Sequence, residues 1–111
     1  MTNISVQELK EKIEKKENLN LVDVREPEEN AAYNIGGILL PLGKIQTLQT
    51  EDIDDLKNEE IIFYCRSGNR STQACLMLES LGFTNVKNLA GGMLEWQEKI
   101  IPTGDGGILP V

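Results

Sequence analysis

Histidine is absent from the chain. Without it, neither Ser-His-Asp nor Cys-His catalysis can be assembled. Cysteine is scarce too: Cys65 and Cys75 are the only two. They are too few for a disulfide framework and, without histidine, supply too few soft ligands for a tetrahedral zinc site. They lie ten positions apart, in what read as different local structures. A bridge between them is therefore not expected, and a reducing compartment fits. No apolar run approaches the ~20 residues of a membrane helix. The N-terminus "MTNISVQELKEK" lacks the basic segment and apolar stretch of a signal peptide. Cations are outnumbered, with 11 Lys and Arg against 18 Asp and Glu and a net charge of −7. That balance argues against sequence-independent nucleic-acid binding, which needs cations to displace phosphate counterions. The expectation is a soluble, cytoplasmic protein without metal or cofactor, and without a nucleic-acid or membrane partner.

What is present suits one domain. A chain of 111 residues can build a single core and bury roughly two-thirds of the surface it exposes when unfolded. The domain is expected to fill residues 1–111, with a core over about 4–100 and a Gly/Pro-rich tail over 101–111. Ser5 reads as a helix N-cap with Glu8 as its capping-box partner, and Val6, Leu9 and Ile13 follow at helical spacing. "LNLVDV" (19–24) is a short apolar strand. "EPEENAAY" starts a helix at Pro27, where the missing N–H matters little. "GILLPL" reads as a second strand and "EDIDDLKN" as a brief polar helix or turn. "EIIFYC" (60–65) is the most strand-like stretch, and its near-continuous apolar run suggests burial on both faces. Residues 70–81 read as a helix ended by Gly82, "NVKNL" (85–89) as a strand, and "GGMLEWQEKI" as a last helix. Strands alternating with helices imply an α/β domain with a mostly parallel sheet. In such sheets, sites sit at the carboxyl ends of strands, and Cys65 falls at one.

The segment "CRSGNRS" after that strand carries the chemistry. A helix start presents free N–H groups and partial positive charge. Gly68 allows backbone angles that other residues resist, and Asn69 tolerates left-handed geometry better than most. A loop of this kind can aim several N–H groups at one anion, with Arg66 and Arg70 adding charge. A thiol there should be depressed in pKa and largely thiolate at neutral pH. A cysteine that ends a buried strand is more often a small packing residue, but packing needs neither two cations nor a glycine turn. Cys75 reads the other way, as plain core among Ala74, Leu76 and Leu78.

"LVDVREPEE", then "CRSGNRS", then "LAGGMLEW" resemble a single-domain rhodanese, a sulfurtransferase. The resemblance runs from about Ile4 to Trp96, with its pieces in the family's order. It implies a five-stranded mostly parallel sheet with helices on both faces. It implies that Cys65 takes a sulfane sulfur from a donor such as thiosulfate, becomes a persulfide, and passes the sulfur to a thiophilic acceptor. The loop of Arg66, Ser67, Gly68, Asn69 and Arg70 would cradle the persulfide. Asp23 and Arg25 are expected to support neighbouring loops through charge-assisted hydrogen bonds, and Trp96 to anchor the core. Glu26, Glu28 and Glu29 read as a solvated helix start. One departure stands out: many family members carry histidine and alanine where this chain has Asn34 and Ile38.

Cysteine phosphatases and arsenate reductases also place a cysteine and an arginine around an N–H nest, but with five residues between them. Here Arg66 to Asn69, four residues, separate Cys65 from Arg70, which favours one sulfur over three phosphate oxygens. A non-catalytic module that kept the fold, and a persulfide carrier serving a sulfur-relay protein, are the other readings. The sequence does not choose a donor or an acceptor.

Overall fold

The computed structural model describes residues 1–101. Apart from Ile101, the expected tail of residues 101–111 lies outside the described residues; Ile101 itself packs half-buried on the core.

Five strands form one sheet: β1 (Thr2–Ile4), β2 (Leu21–Asp23), β3 (Ile38–Leu39), β4 (Glu60–Tyr64) and β5 (Asn85–Leu89). Their order is β1-β5-β4-β2-β3, and every neighbouring pair is parallel. The helices are α1 (Val6–Glu14), α2 (Pro27–Ala32), α3 (Leu42–Gln46), α4 (Asn69–Ser80) and α5 (Gly92–Lys99), with a 3-10 turn at Asp54–Leu56. None of them, among the described residues, is long and apolar enough to cross a membrane.

The helices cover both faces of the sheet because the central strands are apolar on both. Along β4, Ile61 and Phe63 join Leu42 and Ile45 of α3 and Ala74, Cys75 and Leu78 of α4. The alternate residues Ile62 and Tyr64 join Val6 and Leu9 of α1 and Met93 and Trp96 of α5. Each such fully buried side chain is worth roughly 1.5–3 kcal/mol of transfer free energy. The capping box at α1 forms as expected, with Glu8 N–H donating to Ser5 Oγ at 3.0 Å and Ser5 N–H to Glu8 Oε1 at 3.1 Å.

Three local readings change. The stretch read as strand "GILLPL" is only a two-residue edge strand; Pro41, with φ −53°, then opens helix α3. Proline lacks the donor a ladder needs and is pre-set for a helix start. β1 carries no strand signal of its own and exists through its pairing of Thr2, Asn3 and Ile4 with Lys87, Asn88 and Leu89. Leu76 is 54% exposed rather than part of the core around Cys75, because it lies on the outer face of α4. At the departure from the family pattern, Asn34 closes a turn: its amide donates to Asn30 O and its Oδ1 accepts from Gly36 N–H. Ile38 takes its place in β3 opposite Val22.

Candidate active site

The central strand β4 delivers Cys65 to the carboxyl edge of the sheet, where the chain ends of β2 and β5 also emerge. Cys65 is 1% exposed. The loop after it turns back so that Gly68 N–H points at Cys65 Sγ at 3.1 Å and Ser71 N–H at 3.4 Å, with Ser71 Oγ at 3.4 Å from the same sulfur. Within the loop it is Gly68 that takes the left-handed conformation, with φ +96°; Asn69 is already the first residue of α4.

This tight turn is held from behind by the β5–α5 connection. A Cβ at Gly68 would stand 2.4 Å from Ala90 O, and one at Gly92 2.4 Å from Arg66 O. The two backbones therefore approach as only glycine allows. The start of α5 then closes on the loop, with Met93 N–H donating to Cys65 O and Leu94 N–H to Arg66 O, both at 2.9 Å. The "LAGG" segment shapes the cradle although it holds no reacting group.

Burial pushes the Cys65 thiol up, but the Ser71 hydroxyl and the N–H groups of Ser71, Gly68 and Ser67 outweigh it, and the net pKa lies below the ordinary thiol value. Hydrogen bonds to the charged form thus lead in favouring the thiolate. Arg70 is occupied elsewhere: its Nη1 and Nη2 donate to the two carboxylate oxygens of Glu29 at 2.7 and 2.9 Å. That bridge holds the Glu29 carboxyl down at about 2. Glu29 is therefore a clamp on the loop and not the solvated helix residue the sequence suggested. Arg66, among the described residues, makes no ion pair.

Asp23 and Arg25, expected as supports, form a buried bidentate pair. Asp23 is fully buried and Arg25 6% exposed. Arg25 Nε and Nη2 donate to the two Asp23 oxygens, both at 2.9 Å, and Nη2 also reaches Tyr33 O at 2.7 Å. Asn30 Nδ2 adds a bond to Asp23 Oδ2 at 3.0 Å. This cluster fixes α2, and so places Glu29 against Arg70. Trp96 anchors α5 as expected, 6% exposed, with Nε1–H donating to Tyr33 Oη at 3.0 Å.

Ser71 and Asn88 were missed. Ser71 closes the quoted "CRSGNRS", and a hydroxyl one turn into a helix below a thiol was the available signal. Asn88 gave none, because its approach depends on the packing of β5 against α4. Cys75 is buried and free, its thiol pushed up to about 12 chiefly by burial.

A cleft of about 240 Å³ opens beside the loop, lined by Glu29, Tyr33, Arg66, Met93, Leu94 and Gln97 among others. A second cavity, lined by Lys44, Gln49, Glu51 and Asp52, includes no residue of the loop.

A cysteine at a strand end, N–H groups aimed at its sulfur and a parallel α/β sheet define a class. The profile of the rhodanese-like domain matches residues 5–99, and the chain belongs to that family. It is 43% identical over 101 residues to the Bacillus subtilis (strain 168) protein named "Putative sulfurtransferase YtwF", covering 89% of this chain and 93% of that one. It is 36% identical over 97 residues to "Putative sulfur carrier protein YrkF" of the same organism, covering 86% of this chain but only 51% of that protein. The human single-domain sulfurtransferase TSTD1 superposes with a TM-score of 0.74 at 32% identity, over 89% of this chain and 97% of that one. The likeness supports sulfurtransferase chemistry in general and does not single out a donor or an acceptor.

Proposed function

We propose that this chain moves sulfane sulfur from a donor such as thiosulfate or a persulfide to a thiophilic acceptor through a persulfide on Cys65. The observation that carries the reading is the pair of backbone N–H groups, from Gly68 and Ser71, aimed at Cys65 Sγ at 3.1 and 3.4 Å. The thiolate attacks the sulfane sulfur of the donor. A bond forms between Sγ and that sulfur, and the donor's own bond to it breaks with the electron pair leaving on the remainder, which for thiosulfate is sulfite. The outer sulfur of the persulfide carries the negative charge. The N–H groups of the loop and the charge of Arg66 favour it there. An acceptor nucleophile then attacks the outer sulfur, the S–S bond breaks, and the Cys65 thiolate returns. Neither half of this cycle needs a general base, which suits a chain without histidine.

Donor and acceptor enter through the cleft beside Arg66. Leu94 at its rim is 43% exposed and offers an apolar contact next to a cation. That favours the finer reading of a carrier that hands sulfur to a protein partner as well as to small thiols.

Incubation with thiosulfate should add one sulfur atom to the intact mass, located on Cys65 and removed by cyanide. Cys65→Ser should take up none, and an aryl phosphate should not be hydrolysed. Transfer should be assayed with a panel of donors and acceptors. An adduct on Cys75, or phosphate hydrolysis without sulfur transfer from any donor, would overturn the proposal.

A further inference from the structure

Ser71 is fully buried, and its one hydroxyl proton has three acceptors within reach: Cys65 Sγ at 3.4 Å, Gly68 O at 3.3 Å and the side-chain oxygen of Asn88, which is the nearest. Asn88, 3% exposed, is not free to choose which end it offers, because its Nδ2 donates to Asn3 Oδ1 at 3.1 Å. The result is a chain of polar groups from the sulfur through Ser71 and Asn88 to exposed Asn3 on the edge strand β1. With the Ser71 proton on Asn88, every side-chain donor in the chain points away from the sulfur. That polarity leaves a Ser71 lone pair facing Cys65. It suits a thiol S–H or the neutral inner sulfur of a persulfide, and it withholds the Ser71 proton from a thiolate.

We propose that Asn88, held by Asn3, is a positioning residue that sets which acceptor takes the Ser71 proton and thereby restrains the reactivity of Cys65. In the free thiolate, the Ser71 proton turns to Sγ against the pull of Asn88. Once the sulfur is loaded, charge moves to the outer atom, the backbone N–H groups follow it, and the Ser71 proton returns to Asn88. No covalent bond changes in this exchange. The sulfur-transfer reading supplies its purpose; its existence is tested on the bare thiol.

Among charged groups on the surrounding elements, Arg66 lies on the loop itself, Arg70 on α4, Glu29 on α2 and Arg25 after β2. Arg70 is raised chiefly by its hydrogen bonds to Glu29, with the Cys65 charge adding less, and Arg25 is chelated by Asp23. None of these contacts passes through Asn88 or Asn3, so changing either amide leaves the charges in place.

The test is the pH dependence of Cys65 alkylation by iodoacetamide, read by peptide mass spectrometry without any sulfur donor. Asn88→Leu removes the competing acceptor and should lower the midpoint. Below the midpoint, alkylation should quicken by about threefold to tenfold, the effect of half to one pKa unit on the thiolate fraction. Asn3→Ala, a change at an exposed position of the edge strand, frees the Asn88 amide to turn and should shift the midpoint the same way. In a Ser71→Ala background both shifts should vanish. An unchanged or raised midpoint in Asn3→Ala, or the same shift with Ser71 removed, would overturn the inference. If alkylation follows these expectations while no donor loads Cys65, the positioning role stands and the sulfur-transfer reading fails by itself.

Discussion

Gly68→Ala should disable the site from its backbone, and the size of the effect follows from two distances. At φ +96°, an L side chain pays a conformational penalty of about 1–2 kcal/mol. The new methyl would also stand 2.4 Å from Ala90 O, whereas real Cβ contacts essentially never fall under 3.0 Å. The obstacle is a backbone carbonyl, so the loop has to back away by more than half an ångström. Overpacking of this kind costs about 1–3 kcal/mol. The combined loss of about 2–5 kcal/mol should lower Tm by on the order of 10 °C or more. The same movement carries Gly68 N–H away from Cys65 Sγ, now 3.1 Å distant. Losing a hydrogen bond to a charged group, about 1.5–3 kcal/mol, corresponds to a thiol pKa about one to two units higher. Alkylation at neutral pH and sulfur transfer should therefore both fall about tenfold to a hundredfold, measured well below the reduced Tm. Gly43→Ala is the control, since its added Cβ meets nothing within 4 Å and its φ is not positive. A folded Gly68→Ala protein with wild-type alkylation midpoint and wild-type transfer would refute the idea that the N–H cradle activates the sulfur.

Three further outcomes are expected. Cys75→Ala should keep most turnover and lose on the order of 1 kcal/mol of stability; collapse of turnover in a folded variant would instead implicate a second reacting thiol. Glu29→Gln should flatten the acid limb of the stability curve. The depressed Glu29 carboxyl contributes stability that is full above its unfolded value near 4.5 and lost as pH falls towards 2. With the pair about a third exposed, the wild type should lose about 1 kcal/mol more than the variant over that window in urea titrations, and parallel curves would count against the clamp. Arg25→Lys keeps the charge but not the fork on Asp23 and Tyr33 O, and should cost about 2 kcal/mol in denaturant midpoint analysis; a loss under about 0.5 kcal/mol would show that the fork contributes little.

Much of the fold was legible because its signals are local. The continuous apolar run of β4 announced a strand buried on both faces, Ser5 and Glu8 announced a helix start, and Cys65 followed by Gly68 announced a turn into another helix. Each depends on residues within a few positions of one another, where the backbone itself brings the groups together. The motif order then placed the chain in its family, and with it the fifth strand that no local pattern in "TNI" reveals.

The rest was decided by which surfaces meet. Sequence could place two arginines beside Cys65, but not show that Glu29, 41 positions from Arg70, takes the donors of the second one. It could offer Asp23 and Arg25 as supports, but not show that Tyr33 O and Asn30 complete their cluster. It could quote Ser71 but not the acceptor waiting for its proton, since Asn88 and Asn3 come from strands at opposite ends of the chain that pair only in the sheet. A hydroxyl has one proton and a guanidinium a fixed fork of donors. What such groups do depends on which partners packing brings within about 3 Å, and that distance is set by tertiary structure alone.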